Sequence, residues 1–504
     1  MWRKIASVGG LTLLSRLFGF VRDVIMAAVL GAGPLADAFM VAFRLPNHFR
    51  TIFAEGAFNA AFVPRYAATL VREGPGGARN FAENVLGLTL VVQAVLLELA
   101  LIFAPAMVAI LAPGFTEEPG QVALTAELLR ATFPYLLLIS AMTLLAGMLA
   151  GHERFAAAAA APILLNLSLI AALLTASLFK TPAHALAWGV LAAGFAQLAL
   201  VLADFLWAGL RMSLTWPRLT AEVRGFLRGF GPAVLGAAGP QIAMLADTII
   251  ASLLPSGSVS FLYYADRLYQ LPLAVIGLAI GTVLLPELAR RIAANDHSGA
   301  LVRLNRAIDG SMLLTLPFVA LFLVAAEPVI ALLFGRGAFG PEAINGSAMA
   351  LTSYAVGLPA VVALRSVVSA FYARGDTATP VKALAAATLV NVALKLAFVG
   401  PLGVAGLALA TAIAAWVNFG ILVFLLKRED RFQPDRRSVQ ALGTAVAAFA
   451  AALAAFVLAG MVTPMARGLV PALPDLAPVV LLVAAGWGAY LIVAAAGVLI
   501  FRLR

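Results

Sequence analysis

The chain has 504 residues, of which 63% are hydrophobic and 12% are charged, with a formal net charge of +10. Its mean hydropathy is +1.00. Soluble globular chains are nearer half apolar and a quarter charged, so this composition excludes a soluble domain and predicts a protein embedded in lipid. The absence of cysteine excludes disulfides, thiolate metal sites and a cysteine nucleophile. The four histidines are scattered along the chain, and we expect neither a metal site nor a cofactor.

Hydropathy predicts about fourteen membrane-spanning helices joined by short loops, because a helix satisfies its own backbone hydrogen bonds in lipid. The first apolar stretch contains Arg16, Arg22 and Asp23 and lacks a small-residue cleavage site. It is therefore predicted to be a retained helix rather than a signal peptide. In chain order the predicted spans lie near residues 7–29, 36–64, 83–112, 125–150, 157–179, 185–209, 223–254, 258–288, 306–333, 345–373, 380–400, 403–426, 438–461 and 476–501.

Loops that are rich in basic residues alternate along the chain with loops that have few or none. With the N-terminus in the cytoplasm, the outer side holds only Lys180, Arg336 and Arg467. The positive-inside rule therefore predicts an even number of spans with both termini cytoplasmic. The same distribution explains the basic net charge by orientation and by attraction to anionic membrane lipids, so we do not expect nucleic acid as a partner.

The chain also matches itself at an offset of about 224 residues. The matched pairs are Asp23 with Asp247, Arg44 with Arg267, Pro64 with Pro286, Pro134 with Pro359 and Asn166 with Asn391. Six spans followed by six more indicate two parallel repeats related by an axis along the membrane normal. We predict an all-α polytopic membrane protein with two pseudo-symmetric six-helix lobes, at residues 1–215 and 216–430, and two additional helices at 431–504. Such lobes around a central cavity are typical of alternating-access transporters.

Several arginines lie inside the predicted spans, where each one costs about 2.5–3.5 kcal/mol on insertion scales. The clustered ones are Arg16, Arg22, Arg50 and Arg267, and they come from both predicted lobes. Ser15 shares a helix face with Arg22, and Asn47 shares one with Arg50. Guanidinium groups bind phosphate oxygens bidentately, so the cluster predicts a wet cavity for a polyanion. Pairing with nearby acids or snorkelling is the alternative, especially for arginines near helix ends such as Arg130.

Seven short motifs stand out from the Ala-rich helices: SRLFGFVRD at residues 15–23, ADAF at 36–39, RLPN at 44–47, FAEGAF at 53–58, AFVP at 61–64, YADRL at 264–268 and FYARGDT at 371–377. These motifs resemble those of the MurJ (MviN) family of lipid II flippases. The resemblance covers essentially the whole chain, and the block from 15 to 64 is highly specific. The family belongs to the superfamily of multidrug, oligosaccharidyl-lipid and polysaccharide exporters.

The resemblance implies a transporter, not an enzyme, of the bacterial inner membrane, with a V-shaped pair of lobes around a cationic cavity. The implied substrate is lipid II, the undecaprenyl-pyrophosphate-linked peptidoglycan precursor, carried from the cytoplasmic to the periplasmic leaflet. Peptidoglycan-synthesis proteins are implied partners. The family's essential arginines correspond to Arg16, Arg22, Arg50 and Arg267, and a further important acid corresponds to Asp37. The two C-terminal helices would form a groove for the polyprenyl tail.

Some members of the family bind sodium with an acid in the seventh span and polar residues in the eleventh and twelfth. Asp247, Asn391 and Thr411 match this pattern, but Lys395 stands where a sodium-binding member has an acid. One interpretation is that the Lys395 ammonium occupies the cation position and pairs with Asp247. The other interpretation is that Lys395 reaches the membrane interface.

Two other classes of function share some of these features. An exporter of drugs, or of another polyprenyl-linked saccharide, would have a related fold. Drug exporters of the superfamily usually have twelve spans and sites for cations, so the predicted spans and arginines favour lipid II, whereas another lipid-linked saccharide is harder to separate. A membrane glycosyltransferase should need acids on a substantial loop, and the outer loops are short with few acids.

Overall fold

The computed structural model describes residues 2–51, 56–429, 432–466 and 476–502, and all regular secondary structure in these ranges is helical. The helices are α1 (Trp2–Leu30), α2 (Pro34–Arg50), α3 (Gly56–Leu111), α4 (Gln121–Thr132), α5 (Tyr135–Gly151), α6 (Ala156–Leu174), α7 (Pro182–Trp207), α8 (Ala221–Ser252), α9 (Ser258–Pro272), α10 (Leu278–Ala293), α11 (His297–Val324), α12 (Ala326–Phe334), α13 (Pro341–Ala355), α14 (Leu358–Tyr372), α15 (Ala378–Arg428), α16 (Arg436–Ala466) and α17 (Leu476–Arg502). The predicted all-α polytopic fold is confirmed.

Nine helical segments in the described ranges are long and apolar enough to cross a bilayer, or ten if α13 and α14, which meet at a bend of 42°, form one span. Two of them, α3 and α15, each extend over two predicted spans and bend between them, at Gly74 (φ 72°) and at Gly403 (φ 55°). Glycine is favoured at both bends because a Cβ atom disfavours positive φ. The helices α1, α2 and α8 lie on further predicted spans, so the structure is compatible with fourteen spans.

The chain forms two compact units, residues 1–259 with 337–339 and residues 260–336 with 340–504. In the first unit α1 packs against α6, α6 against α7, and α3 against both α5 and α8. By packing, α8 therefore belongs to the first unit, whereas the sequence repeat assigns it to the second predicted lobe. The lobe boundaries after residues 215 and 430 describe the repeat and stay a prediction.

Aromatic side chains hold the start of α8 against the start of α3. Phe58 and Phe62 stack with ring centroids 5.3 Å apart, and Phe226 and Phe230 stack at 5.4 Å. Phe58 meets Phe226 edge-on at 5.7 Å. Each such pair contributes about 0.5–1.5 kcal/mol beyond its buried area. These rings pack the start of α8 against the start of α3 within the first unit.

In the second unit the two C-terminal helices pack against each other and α16 packs against α11. The ring of Phe456 on α16 fills the space beside Gly486 on α17, where a Cβ atom would approach the ring within 2.3 Å. The hydroxyl of Tyr490 donates to the carbonyl of Leu313 on α11 at 2.5 Å. Glycine on one helix and an aromatic ring on the other thus determine how closely α16 and α17 approach.

Acidic side chains cap helices at the loops of this unit. Asp296 accepts the backbone N–H of Gly299 at 2.8 Å and so caps α11. The N–H of Gly299 and the guanidinium of Arg291 hold the pKa of Asp296 below its ordinary value, because both stabilise the charged carboxylate. Asp435 caps α16 in the same manner, accepting the N–H of Ser438 at 2.7 Å.

Candidate functional site

Arg22 on α1 is held from two directions inside the first unit. Its Nε and Nη2 atoms donate to Oδ1 of Asp23 at 3.0 and 2.6 Å, and Nη1 donates to Oδ1 of Asn166 on α6 at 2.9 Å. The side chains of Arg22 and Asp23 are 14% and 4% exposed. Because its partners fix the plane of the guanidinium, Arg22 is a preorganised cation rather than a mobile one.

Asn166 is itself oriented by α1, since its Nδ2 atom donates to the backbone carbonyl of Ser15 at 3.0 Å. Gly19 lies between these contacts, and a Cβ atom there would be 3.5 Å from Nδ2 of Asn166. Ser15, Gly19 and Arg22 are spaced four and three residues apart and share one face of α1. The structure thus brings Ser15 and Arg22 together through Asn166, whereas Arg16 is exposed.

Asn166 was not among the predicted site residues. Its match with Asn391 in the internal repeat is the signal that could have identified it. A polar side chain inside the membrane costs free energy unless it forms hydrogen bonds, so its recurrence at the same place in two apolar repeats indicates a specific partner. In the first repeat that partner is Arg22.

The end of α2 brings together the next predicted pair. The Nε atom of Arg50 donates to Oδ1 of Asn47 at 3.1 Å, and both side chains are half-buried. Pro46 lies inside this helix, where it removes one backbone hydrogen bond. Residues 53–55, part of the motif that follows, lie outside the described residues. The structure therefore supports a shared face for Asn47 and Arg50.

Three side chains of α2 form hydrogen bonds with α8 or with the turn that follows it. Arg44 donates to the hydroxyl of Thr248, and Nδ1 of His48 donates to Oε1 of Gln241 at 2.5 Å. Asp37, which is 1% exposed, makes a further contact, and this one involves a backbone group. Its Oδ2 atom accepts the N–H of Gly257 at 2.6 Å. Asp37 therefore connects α2 to the turn before α9, and its part in substrate binding stays a prediction.

Arg267 belongs to the second unit, on α9. Its guanidinium carbon lies 4.4 Å from the centroid of the Tyr263 ring, a cation–π contact. The neighbouring acid, Asp266, accepts a hydrogen bond from the side chain of Gln270. The gathering of Arg267 with the arginines of the first unit into one cavity stays a prediction.

The four residues of the predicted cation site or ion pair are divided between the units. Asp247 is half-buried on α8, and the other three lie on α15. Lys395 is 2% exposed, so its ammonium group lies inside the protein, which argues against a lysine that reaches the interface. In the described part of the chain, Oδ1 of Asn391 is buried without a hydrogen-bond partner. Thr411 donates to the carbonyl of Leu407 at 3.1 Å.

Comparisons with known proteins agree with the motifs of the sequence. A family model described as lipid II flippase MurJ matches residues 26–473. A relative from Rhizobium meliloti (strain 1021), described as a probable lipid II flippase MurJ, is 44% identical over 429 residues. That match covers 84% of this chain and 79% of the relative.

Solved structures extend the likeness of the fold over nearly the whole chain. A structure described as lipid II flippase MurJ in an inward closed conformation has a TM-score of 0.80 at 23% identity, covering 97% of this chain and 98% of the other. An inward-facing MATE family multidrug resistance transporter of the MOP superfamily has a TM-score of 0.66 at 18% identity, with 83% and 94% covered. The segment 15–23, which contains Arg22, precedes the residues that the family model matches.

Proposed function

Since the chain belongs to the lipid II flippase MurJ family, we propose that it translocates lipid II from the cytoplasmic to the periplasmic leaflet of the bacterial inner membrane by alternating access. The match of the family model over residues 26–473 is the observation that carries this proposal. Family membership places the chain among multi-pass transporters rather than enzymes, as the sequence predicts. The proposed direction of transport is the one that the resemblance to this family implies. The cytoplasmic position of both termini is proposed from the distribution of basic residues.

The chemistry of the substrate suits the arginines of the site. Lipid II offers a pyrophosphate and a carboxylate-bearing peptide, and a planar guanidinium binds phosphate oxygens through two parallel hydrogen bonds. Arg22 is supported for this role because Asn166 fixes its orientation. The contact with Asp23 keeps Arg22 from being an uncompensated charge in the apolar membrane while the site is empty. An incoming pyrophosphate would compete with Asp23 for the same N–H groups.

Alternating access is supported by contacts along α8, which the repeat assigns to the second predicted lobe. Near the start of α8, the Phe226 ring packs against Phe58. Near its end, the Ser252 hydroxyl accepts the N–H of Gly114 at 3.3 Å. Opening the site to one side requires one set of these contacts to break while the other holds. Both sets are aromatic or polar contacts of modest strength, as a reversible closure requires.

The polyprenyl tail is proposed to stay in lipid along α16 and α17. These helices carry exposed apolar side chains, among them Leu442, Val446, Leu491 and Ile492. Apolar surface that is removed from water contributes about 25 cal/mol for each Å². These side chains would already face lipid, so their contact with a polyprenyl chain would contribute much less. In the bilayer we therefore expect the groove to guide the tail more than to bind it tightly.

The test is the leaflet distribution of lipid II in cells depleted of this protein. Externally added probe should reach little lipid II after depletion, and wild-type protein should restore access. Arg22→Ala, Arg50→Ala and Arg267→Ala should fail to restore it. Arg130→Ala is the matched control, because Arg130 is exposed near a helix end and donates to the backbone carbonyl of Leu101.

Two results would contradict the proposal. Normal external lipid II after confirmed depletion would exclude this chain as the flippase, and another polyprenyl-linked saccharide would then become the substrate to examine. Equal loss of activity in Arg130→Ala and Arg22→Ala, with both proteins present at wild-type levels, would show that the assay reports charge in the membrane rather than substrate binding.

We further propose that Lys395 supplies the cation that sodium supplies in some relatives, and that it pairs with Asp247. The support is the burial of Lys395 at 2% exposure. A buried ammonium group needs a compensating anion, and Asp247 matches the acid of the sodium site. The side chain would then be a fixed substitute for a transported ion.

The measurement is transport, or apparent thermal stability, with sodium replaced by choline at constant ionic strength. The wild-type protein should not respond to sodium. Lys395→Met, which removes the charge and keeps the length, should lose stability, and Asp247→Asn together with Lys395→Met should recover part of the loss. A wild-type response to sodium would refute the substitution.

A further inference from the structure

A groove in the first unit runs between the start of α3 and the start of α8, outside the arginine site described above. It has a volume of about 450 Å³. Small residues form most of its walls, Ala61, Pro64 and Ala68 on α3 and Gly225, Gly229 and Ala233 on α8. Two arginines, Arg65 and Arg72, line the same groove from one face of α3, since they are seven residues apart.

The two arginines differ in how their charge is compensated. Arg72 donates to Oε1 of Glu73 at 2.7 Å and lies 3.6 Å from Oε1 of Glu222. Arg65 makes one long hydrogen bond, from Nη1 to the backbone carbonyl of Glu222 at 3.4 Å, among the residues that the structure describes. A guanidinium carries five N–H donors. Arg65 therefore brings a half-buried positive charge and several unused donors to the groove.

The position of the Arg65 guanidinium depends on a glycine of α8. A Cβ atom at Gly225 would lie 1.8 Å from Nη1 of Arg65, so any side chain there would displace the guanidinium. A Cβ atom at Gly229, one turn further along the same groove, would meet nothing within 4 Å. The groove therefore offers two glycine-to-alanine changes of equal chemistry, of which only one moves the arginine.

We propose that this groove binds the phosphate group of an anionic glycerophospholipid, with Arg65 as its main ligand and the small-residue walls along its glycerol and upper acyl chain. A single uncompensated guanidinium matches a single phosphodiester charge. The volume suits a phosphate and glycerol unit, whereas a pyrophosphate bearing a sugar and a peptide is much larger. The groove lies at the end of the helices that the proposed orientation places in the cytoplasm, where the leaflet is rich in anionic lipid.

The bound lipid would hold α3 and α8 together at the aromatic contact next to it. Anything that binds only the packed arrangement stabilises that arrangement. Anionic lipid is therefore expected to favour the state in which the start of α8 rests on α3. This is a lipid site separate from the substrate, and its occupancy can be measured without any transport assay.

The experiment is native mass spectrometry of the purified full chain in detergent, titrated with phosphatidylglycerol. Phosphatidylcholine, whose choline group compensates its phosphate, is the comparison lipid. Wild-type protein and Gly229→Ala should bind phosphatidylglycerol equally. Arg65→Gln and Gly225→Ala should bind it roughly tenfold more weakly, the effect of losing about one charge-assisted hydrogen bond. Apparent Tm should rise with phosphatidylglycerol in the first two proteins only.

Several outcomes would overturn the proposal. Equal phosphatidylglycerol binding in all four proteins, or equal binding of both lipids to the wild type, would exclude the site. Binding of a polyprenyl pyrophosphate that is weakened by Arg65→Gln, with phosphatidylglycerol unaffected, would assign the groove to the substrate instead. If Arg65→Gln fails to fold, Gly225→Ala decides, because it displaces only the flexible end of a side chain.

Discussion

The substitution Asn166→Ala tests whether Asn166 positions the guanidinium of Arg22. The change removes the acceptor of Arg22 Nη1 at 2.9 Å and the donor to the Ser15 carbonyl at 3.0 Å. Arg22 would keep its contact with Asp23 but lose the contact that fixes its plane. We therefore expect both a less stable protein and weaker function, because the guanidinium could rotate away from the orientation that a phosphate requires.

The expected magnitude follows from the two bonds. A hydrogen bond to a charged group contributes about 1.5–3 kcal/mol, whereas neutral bonds between membrane helices average about 0.6 kcal/mol. The reference state in the membrane also finds partners, which favours the lower end of the range. We expect Asn166→Ala to lower the free energy of unfolding by about 2 kcal/mol, most of it from the Arg22 contact.

The internal repeat supplies a matched control. Asn391 corresponds to Asn166, yet its Oδ1 atom is buried without a hydrogen-bond partner in the described chain. Removing an unsatisfied polar atom is nearly neutral or stabilising, so Asn391→Ala should change stability by less than about 0.5 kcal/mol. The assay is denaturant unfolding of the purified protein in mixed micelles, with a double-mutant cycle of Arg22→Gln and Asn166→Ala.

A coupling energy of about 1–2 kcal/mol is expected between Arg22 and Asn166 in that cycle. Equal effects of Asn166→Ala and Asn391→Ala would refute the reasoning, because the two changes delete the same group from corresponding helices. Additive effects of Arg22→Gln and Asn166→Ala would refute it as well. In either case the contact between α1 and α6 would be a consequence of helix packing and not a device for positioning the guanidinium.

Three more outcomes follow from single contacts. Asp37→Ala removes the acceptor of the Gly257 N–H and should lower stability by about 1–3 kcal/mol, whereas Asp37→Asn keeps an oxygen there and should lose less, as unfolding curves would show. Gly486→Ala forces a Cβ atom into the ring beside it and should lower stability by about 1–3 kcal/mol, but Gly488→Ala, which meets open space, should not. The pKa of Asp296 is lowered in the folded state, so the charged carboxylate stabilises the fold above the ordinary value of 3.8, and this stabilisation is lost as the pH falls through the lowered pKa. The stability of Asp296→Asn should therefore be below that of the wild type near about pH 6 and should converge with it near about pH 2.

The architecture could be predicted from the sequence because lipid imposes few choices. Apolar segments of spanning length must be helical, and the distribution of basic residues between the loops predicts how these helices are oriented across the membrane. The bends at Gly74 and Gly403 were less accessible, since a helix can continue through a glycine and only the positive φ shows that the chain turns there. The packing of α8 against α3 was not predictable from the repeat, which compares sequences and not contacts.

The site was predictable to the extent that its contacts are local. Spacing along one helix placed Asn47 near Arg50, and the structure shows their hydrogen bond. Contacts between distant segments were not accessible in this way. The bond from Gly257 to Asp37 joins residues 220 positions apart, and no periodicity within either segment encodes it. Asn166 lies between these cases, because the repeat marked it as special without naming its partner.

The internal repeat, taken together with these contacts, indicates how one scaffold came to hold two different arrangements of charge. In the first half, Asp23 is paired with the cation next to it in sequence, and Asn166 binds the same cation. In the second half, the corresponding positions are Asp247 and Asn391, and the residue before Asp247, which corresponds to Arg22, is Ala246, so the arginine of the first pattern is missing there. The buried cation of that half is instead Lys395, one turn after Asn391 on α15. An acid in an apolar repeat needs a cation, and the scaffold can take that cation from either of two helices. Under the proposed pairing, the second half would hold its cation covalently, which leaves the membrane potential, worth about 2.3 kcal/mol per charge per 100 mV, as the driving force that needs no bound sodium.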